Sequence, residues 1–419
     1  MVRQLLPISA LLLGSAFLLF AGGINSLILP VRGGAEGFSA VMLGLLGTGW
    51  AFGYVSGCVL VPPLVAKVGH IRAFSVMAAF AAIAVMGSLI VIDAWVWIVL
   101  RSLSGFCFAG AAMIVESWLN ESAEPSNRGR IFGVYTMVNL AATTGGQMVL
   151  TLGDPAGFLF FVLPAMFYCL ALVPTSISST KTPAPLVSVR LDIRALWRNS
   201  PVAVFAVLMA GVSNSAFGTL AAVYADRIGL ALTSIALFSA VPILAGAAAQ
   251  IPVGVLSDKM DRRKVLLGVA AVAVAADLAF ILLQPQDRML NLILASAFGA
   301  AIYTMYPIIV AHANDHAQPG TYIQTSGGLL LVFGVGSIVG PLAAGFGMAQ
   351  IGVVGLFITT IAAHVLIIGF TIVRLRARGE VAAADKVSFV ASPIARSSTP
   401  QTAAFGMREQ EDAVAAPTD

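Results

Sequence analysis

Three charged side chains lie inside long apolar stretches of this sequence, where they could hold an ion or a proton. Arg101, Glu116 and Asp277 each fall within an apolar run rather than between two runs. Charged groups in such segments are costly to bury, and they commonly mark ion or proton pathways. Glu116 and Asp277 are therefore candidates to take up a proton. Arg101 is a candidate to hold a substrate anion or to tune a nearby acid.

Each of these side chains also has a structural explanation. Arg101 could extend its long side chain towards the nearer membrane surface. Asp277 could do the same, or could pair with another group inside the protein. Glu116 lies near the end of its apolar run, where a charge costs little, and it could form an ion pair with one of three basic residues, Arg72, Arg128 or Arg130.

Twelve apolar stretches must position these residues. The chain is 59% hydrophobic and only 10% charged, its mean hydropathy is +0.95, and a soluble domain carries about 25% charged residues. An α-helix needs about 20 apolar residues to cross a bilayer, and only helices or closed barrels satisfy the backbone there. The predicted spans are 5–31, 39–65, 70–92, 95–119, 130–152, 156–175, 201–223, 231–256, 264–284, 288–313, 322–347 and 350–374.

The basic residues are distributed unevenly over the gaps between these spans. All of the 23 Lys and Arg residues fall in every second gap or near the termini, except Arg32, Arg101, Arg227 and Arg288. Basic loops stay on the cytoplasmic side of a membrane. The pattern therefore predicts that both termini are cytoplasmic, and it explains the net charge of +4 without a nucleic-acid partner.

The longest internal gap divides the spans into two sets of six. Its residues Leu191–Trp197 could form a short helix at the membrane interface. The end of the chain is rich in Ala, Ser, Thr and Pro, a composition typical of disorder. We expect an N-terminal six-helix bundle, a cytoplasmic central loop, a C-terminal six-helix bundle and a disordered cytoplasmic tail, over residues 1–175, 176–200, 201–375 and 376–419.

The two halves resemble each other in sequence. Residues 105–133 align with residues 299–327 without a gap, which places Gly105 on Gly299 and Asn120 on Asn314. Weak internal symmetry of this kind is typical of transporters. Glycines spaced four residues apart predict close helix packing in lipid, and they are Gly49, Gly53 and Gly57 in the second span and Gly336 and Gly340 in the eleventh.

The gap after the eighth span carries the most distinctive motif. A glycine there permits close helix contact, the Asp could bond a helix N-terminus, and the cations could pair with acids or lipid phosphates. A plain basic loop is the alternative interpretation. The motif residues are Gly254, Asp258, Lys259, Arg262, Arg263 and Lys264.

This motif is similar to the cytoplasmic-loop signature of the major facilitator superfamily, Gly-x-x-x-Asp-Arg/Lys-x-Gly-Arg-Arg/Lys. The sequence departs from the signature at Asp261, where the family usually has Gly, and its first-half copy retains Lys67, Gly69 and Arg72 but lacks the Gly and Asp. The Arg101-x-x-x-Gly105 element also resembles the family. The segments that resemble its YcaD-like bacterial branch are Glu116–Glu121, Asn127–Arg130, His70–Phe74 and Gly145–Gln147.

The resemblance implies an all-α membrane protein with twelve transmembrane helices in two six-helix bundles. It implies secondary active transport of a small organic solute by alternating access in a bacterial inner membrane, with no enzyme activity and no cofactor. Proton coupling is our hypothesis. It rests on the acids Glu116 and Asp277, and on the absence from the sequence of a GxxxxGK[ST] phosphate loop, which disfavours transport driven by ATP. The expected partners are the solute, protons and the lipid bilayer, and we expect a monomer.

In the resembled fold the first, fourth, seventh and tenth helices line the central cavity, with the fifth and eighth beside it. Each polar residue there could contact a solute, or could bond a neighbouring helix for about 0.6 kcal/mol. The candidates are Asn25, Arg101, Gln147, Asn214, Gln250, Tyr303, Tyr306 and His312.

Two other functions remain open from the sequence. Drug–proton antiporters carry a glycine–proline motif in helix five, whereas this chain has Gly336, Gly340 and Pro341 in its eleventh span. A multidrug efflux antiporter is therefore an alternative that this motif does not favour. A membrane sensor or assembly factor with a carrier fold is the other alternative, and the short loops disfavour it.

Overall fold

The computed structural model of the chain describes residues 2–123, 127–177, 185–186, 191–377, 379–382, 385–392 and 395–415, and these fold almost entirely into helices. The first half contains α1 (Val2–Ala35), α2 (Ala40–Val68), α3 (His70–Ile90), α4 (Ala94–Ser122), α5 (Arg128–Met148) and α6 (Leu159–Ile177). The second half contains α7 (Ile193–Asn199), α8 (Pro201–Arg227), α9 (Leu232–Lys259), α10 (Arg262–Leu283), α11 (Arg288–Asn314), α12 (Tyr322–Ile351), α13 (Gly355–Leu375) and α14 (Pro400–Ala415). Short 3₁₀ turns cover Val149–Leu152 and Ala395–Ser397.

Side-chain caps set where several helices begin. The carboxylate of Asp93 accepts hydrogen bonds from the backbone N–H groups of Trp95 and Val96 at the start of α4. Asp287 caps α11 in the same way. Such caps satisfy backbone donors that have no partner within the helix. Gly69 alone joins α2 to α3 with a φ of 84°, a conformation that favours glycine.

Length and apolar composition support most of the predicted spans. Within the described residues, ten helices are long and apolar enough to cross a membrane, namely α1–α4 and α8–α13. The apolar part of α6 is shorter, Leu159–Thr175, and α5 carries polar residues along its length. The count of twelve spans therefore stays a prediction. The short helix predicted in the central loop is confirmed as α7, whereas residues 178–184 and 187–190 of that loop lie outside the described part of the chain.

The helices form two bundles that repeat the same pairing pattern. In the first bundle α2 packs on α4, α1 on α5 and α6, and α3 on α4 and α6. The second bundle repeats these pairs as α9 on α11, α8 on α12 and α13, and α10 on α11 and α13. The aligned glycines have the same role, because Gly105 of α4 touches the α2 backbone and Gly299 of α11 touches the α9 backbone.

The glycine spacing does bring helix backbones together. A Cβ atom on Gly53 would lie 1.8 Å from the carbonyl oxygen of Ser102 in α4. Gly336 and Gly340 face α8, where an added Cβ would lie 2.1 Å from the carbonyl oxygens of Leu208 and Val212 respectively. Both glycine ridges therefore serve contacts within a bundle.

The two bundles meet most closely at one end. We call the end that carries Lys67, Arg72, Arg128 and Arg262 the basic end, and the other the opposite end. Near the opposite end α2 packs on α12, and an added Cβ on Gly44 would lie 2.3 Å from the carbonyl oxygen of Pro341. The Thr48 hydroxyl donates to the carbonyl of Ile338 across the same contact, at 2.7 Å. The bundles are thus closed together at the opposite end.

The sequence predicts a disordered tail over residues 376–419, but the described part of it packs on the bundles. We call the described residues 385–392 and 395–407 the tail segment. Helix α14 packs on α4, α5 and α12, and Phe405 is buried against Phe132 of α5 with ring centroids 5.2 Å apart. Composition suggested disorder because the segment has few apolar residues. The few apolar side chains of the tail segment are buried or partly buried against the bundles, and hydroxyl and backbone groups of the segment form buried hydrogen bonds there.

Candidate functional site

A cavity lies between the two bundles and contains four of the predicted cavity residues. It encloses about 820 Å³ of empty space, part of which is open to solvent. The four residues are Asn25 on α1, Arg101 on α4, Gln147 on α5 and Tyr303 on α11. Large clefts with a few convergent polar groups are the usual form of a small-molecule site. We call this space the central cavity.

Arg101 gives the central cavity its charge. It is the one charged side chain among the described residues that line the cavity, and only 6% of it is exposed. Its guanidinium lies 6.0 Å from the ring centroid of Trp50 on α2, a distance at which a cation and an aromatic face attract each other. This attraction favours a guanidinium position at the cavity wall beside the ring.

Two amide side chains add hydrogen-bonding capacity beside Arg101. Asn25 and Gln147 are buried, and among the described residues their carbonyl oxygens have no hydrogen-bond partner. Buried polar atoms normally have partners, so such atoms on a cavity wall are places where a ligand could donate a hydrogen bond.

Aromatic rings form much of the remaining wall. The sequence prediction found Tyr303 but missed four further rings. Two of them lie on α2 and α6, which were not expected to line the cavity, and two are Phe side chains on α4 and α8, where only polar residues were considered. A ring at helical spacing gives no sign of whether it faces a cavity or lipid. The missed rings are Trp50, Phe108, Tyr168 and Phe217.

Glu116 lies on the same helix as Arg101 but nearer to the basic end, and it is 1% exposed. Its carboxylate accepts hydrogen bonds from the hydroxyls of Tyr135 at 2.7 Å and Thr402 at 2.6 Å, and from the hydroxyl of Thr399. Among the described residues, the hydrogen-bond partners of Glu116 are therefore hydroxyls rather than the arginines considered from the sequence. Two of these three hydroxyls belong to the tail segment.

The motif after α9 forms a buried cluster of charges. Arg262 donates to Asp315 at 2.7 Å and to the Ser257 hydroxyl at 2.9 Å, and it lies 3.1 Å from Asp258. Gly254 packs against Phe389 of the tail segment. Lys259 and Lys264 remain exposed.

The contacts of Asp261 account for the Asp that stands where the family signature usually has Gly. Its carboxylate accepts from the backbone N–H of Arg263 at 2.9 Å and so caps α10, and it also pairs with the Arg263 guanidinium at 2.8 Å. Burial raises the pKa of Asp261, but the hydrogen bonds and charge of Arg263 outweigh burial and hold the pKa below its usual value. Burial raises the pKa of Asp315, and its bond to Arg262 only partly offsets that effect.

Asp277 belongs to a separate buried network in the second bundle. One carboxylate oxygen accepts from the Thr360 hydroxyl at 2.6 Å, and the other lies 2.7 Å from Nδ1 of His364. The Nε2 atom of His364 lies 2.7 Å from the Ser213 hydroxyl. The network joins α10, α13 and α8, so the structure does not bring Asp277 together with Glu116 and Arg101, which lie on α4 of the first bundle.

The structure spreads the remaining predicted residues over several environments. Gln250 donates to the carbonyl of Tyr303 at 3.2 Å and so links α9 to α11. Tyr306 lines a smaller cavity beside the tail segment. Asn214 is buried in α8. His312 lies at the basic end, with its ring centroid 4.8 Å from that of His316.

Solved structures of transporters share this fold. The nucleoside transporter NupG is 12% identical with a TM-score of 0.71, and the match covers 88% of this chain and 98% of that chain. A bacterial homologue of the human lysosomal transporter Spinster, inward-facing and occupied, is 15% identical with a TM-score of 0.69. That match covers 91% of this chain and 98% of that chain. At these identities the likeness shows the fold alone.

The chain also resembles curated transporter proteins in its amino-acid sequence. The MFS-type transporter YcaD of Salmonella arizonae is 27% identical over 340 residues, which are 80% of this chain and 87% of that protein. The YcaD protein of Salmonella typhimurium is 26% identical over the same shares. The profile of the Major Facilitator Superfamily matches residues 11–323 and 204–407. The profile matches together span nearly the whole chain, and the chain folds into two repeated bundles around a central cavity. This protein therefore belongs to the Major Facilitator Superfamily and is a transporter rather than an enzyme.

Proposed function

We propose that this protein is a secondary carrier of a small organic solute with an acidic group, and that Arg101 binds that group. The observation that carries the proposal is the charge of the central cavity, where Arg101 is the one charged residue among the described lining residues. A guanidinium binds carboxylate or phosphate through a planar pair of hydrogen bonds. A buried cation in a mainly apolar wall favours an anion over a cation or a neutral molecule.

The rest of the wall suggests what the solute carries besides its acid. The carbonyl oxygens of Asn25 and Gln147 can accept hydrogen bonds from hydroxyl or amino groups. The rings of Trp50, Phe108 and Tyr168 offer flat apolar surface. A small organic acid with one or two hydrogen-bond donors and an apolar or planar body fits these groups.

Alternating access supplies the transport step. The bundles are closed together at the opposite end, where α2 packs on α12. In this proposal the basic end faces the cytoplasm of a bacterial inner membrane, as basic loops generally do, and the carrier, closed at the opposite end, faces inward. Rocking of the bundles about the central cavity would then expose the site on the other side.

Protons are the proposed coupling ion, and Glu116 is the proposed carrier of the proton. Its carboxyl group is buried and its partners are neutral hydroxyls, so taking up a proton removes a buried charge. Asp277 is less suited to this role, because it lies with His364 in the second-bundle network, apart from Arg101 and Glu116 on α4.

A thermal-shift screen of the purified protein tests the solute class. A ligand at about 100 times its Kd raises the stability of the folded state by about 2.7 kcal/mol. We expect small organic acids to raise the melting temperature and their amide or ester analogues to leave it unchanged. Arg101→Ala should lose the shift and Arg101→Lys should keep part of it. The control Arg288→Ala changes an exposed arginine outside the cavity and should behave as the parent.

Proteoliposomes that are given the best acid in the external solution test the coupling. An imposed pH gradient should drive its accumulation in the parent, and Glu116→Gln should retain binding but lose the response to the gradient. Hits that are mainly cations, or a shift that survives Arg101→Ala, would contradict the solute class. Uptake that is indifferent to the gradient in the parent would remove proton coupling.

A further inference from the structure

The tail segment lies between the two bundles at the basic end. Its 3₁₀ turn, Ala395–Ser397, packs on α8 and α12, and α14 packs on α4, α5 and α12. Ser397 lines the central cavity together with Arg101. The segment therefore reaches from the loops of the basic end to the wall of the proposed solute site.

The first part of the tail segment is bound to the charged loop motif of the second bundle. The backbone N–H of Phe389 donates to the Asp258 carboxylate at 3.1 Å. The backbone N–H of Val387 donates to Asp315 at 3.0 Å, and Arg262 donates to the carbonyl of Val387. Asp258 and Arg262 of the motif, together with Asp315 at the end of α11, thus bind the peptide backbone of the tail segment.

A glycine of the motif makes room for this peptide. A Cβ atom on Gly254 would lie 2.6 Å from the ring of Phe389. Real Cβ atoms do not approach a ring carbon so closely, so any other residue here would displace the ring. The contact seats Phe389 beside α9.

The second part of the tail segment is bound to the first bundle. The hydroxyls of Thr399 and Thr402 donate to Glu116, and the Tyr54 hydroxyl donates to the carbonyl of Ser398 at 2.8 Å. All of these polar groups are buried. Buried hydrogen bonds to a carboxylate are stronger than bonds between neutral groups, so this part is held to α2 and α4.

We propose that the tail segment is a built-in plug, a peptide ligand of the space between the bundles that locks the carrier open at the basic end. It binds Asp258, Arg262 and Asp315 on one bundle and Glu116 and Tyr54 on the other. Closing the basic end would bring these two surfaces together. The plug must therefore leave before the carrier can complete its cycle, and it shields the central cavity from the basic side while it is seated.

A native cysteine reports the plug without any knowledge of the solute. Cys58 is 7% exposed, and it lines a small cavity together with Ala395 and Ser398 of the tail segment. When the plug leaves, maleimide can reach Cys58 from the basic side. Cys107 is buried elsewhere in the first bundle and serves as the control thiol.

The experiment measures the rate at which N-ethylmaleimide labels Cys58 in a Cys107→Ser/Cys169→Ser background. The full-length variant Thr399→Val/Thr402→Val removes the hydroxyls that hold Glu116 while keeping the side-chain volume. We expect its labelling to be about tenfold faster. This factor corresponds to a plug that is seated about nine-tenths of the time in the parent and is mostly released in the variant. Glu380→Gln, which changes an exposed tail carboxylate near Lys264, should label at the parent rate.

Truncation and add-back complete the test. A chain that ends at Gly379 should label as fast as the Thr399→Val/Thr402→Val variant or faster. A synthetic peptide with the sequence of residues 385–407 should restore protection, whereas a scrambled peptide should not. In the Cys58→Ser/Cys169→Ser background the rate for Cys107 should stay unchanged throughout.

The proposal is overturned if Cys58 is labelled at the same rate in the parent and in the Thr399→Val/Thr402→Val variant, provided that each protein elutes as a single folded species. This result would decide the question even if the truncated chain failed to fold. A peptide without effect on a folded truncated chain would overturn it as well. The outcome is independent of the solute, so a failure of the plug and a failure of the proposed transport function are distinguishable.

Discussion

At the scale of single residues, Asp277 illustrates how the position of a carboxylate in an apolar helix leaves its role undecided. The sequence presented it as a candidate for proton coupling, and the structure gives both of its oxygens partners, Thr360 and His364. Ser213 extends the network to a third helix. We interpret this network as a structural link within the second bundle.

The corresponding prediction concerns stability. Asp277→Ala leaves Nδ1 of His364 and the Thr360 hydroxyl without their buried carboxylate partner, and an unsatisfied buried polar group costs about 1–3 kcal/mol. The cost should appear as a lower melting temperature and denaturation midpoint. Asp277→Asn should cost less, because its amide oxygen can still accept from Thr360. The double variant Asp277→Ala/His364→Ala should cost less than the sum of the single variants. Unchanged stability together with lost proton coupling would instead make Asp277 a functional residue.

At the scale of helices, α2 uses glycines on two different surfaces. Gly53 faces α4 within the first bundle, and Gly44 faces α12 across the boundary between the bundles. In the proposed rocking cycle, a contact within a bundle persists, whereas the contact across the boundary separates. The proposal therefore assigns the same type of residue to stability at one position and to conformational change at the other.

Alanine substitution separates these two roles. Gly53→Ala places a methyl group 1.8 Å from the Ser102 carbonyl oxygen, and we expect a loss of about 1–3 kcal/mol from overpacking, measured as a lower melting temperature. Gly44→Ala wedges apart the contact between the bundles. It should spare the melting temperature and speed maleimide labelling of Thr48→Cys in a chain without other cysteines.

Gly268→Ala is the matched control, since an added Cβ there has no atom within 4 Å among the described residues. It should change neither quantity. If Gly44→Ala lowered the melting temperature as much as Gly53→Ala and left Thr48→Cys labelling unchanged, the boundary would be a fixed contact instead.

At the scale of the whole molecule, the charge pattern predicts the orientation in the membrane. In a chain with all three cysteines replaced by serine, Lys264→Cys places a thiol at the basic end, where the side chain is 57% exposed. Gln286→Cys places one in an exposed loop at the opposite end. In intact cells a membrane-impermeant maleimide should label Gln286→Cys alone, and Lys264→Cys should react only after permeabilisation. The reverse pattern would invert the topology and with it the inward-facing assignment.

The sequence by itself determined the features that depend on local composition and repetition. Long apolar runs predicted the helices, because a backbone in lipid must bond to itself. The repeat of residues 105–133 in 299–327 predicted the matching bundles, and the glycine spacing predicted close helix contacts. The buried charges Arg101 and Glu116 stood out for the same reason, since a charge in an apolar run is visible without any structure.

Only the tertiary structure decided which groups those residues meet. The contact of Arg101 with Trp50 joins two helices that the sequence could not orient about their axes. The bonds from Thr399 and Thr402 to Glu116 join residues far apart in the chain. No local pattern in a tail of small polar residues indicates such a destination, because its stability comes from partners that packing alone brings together.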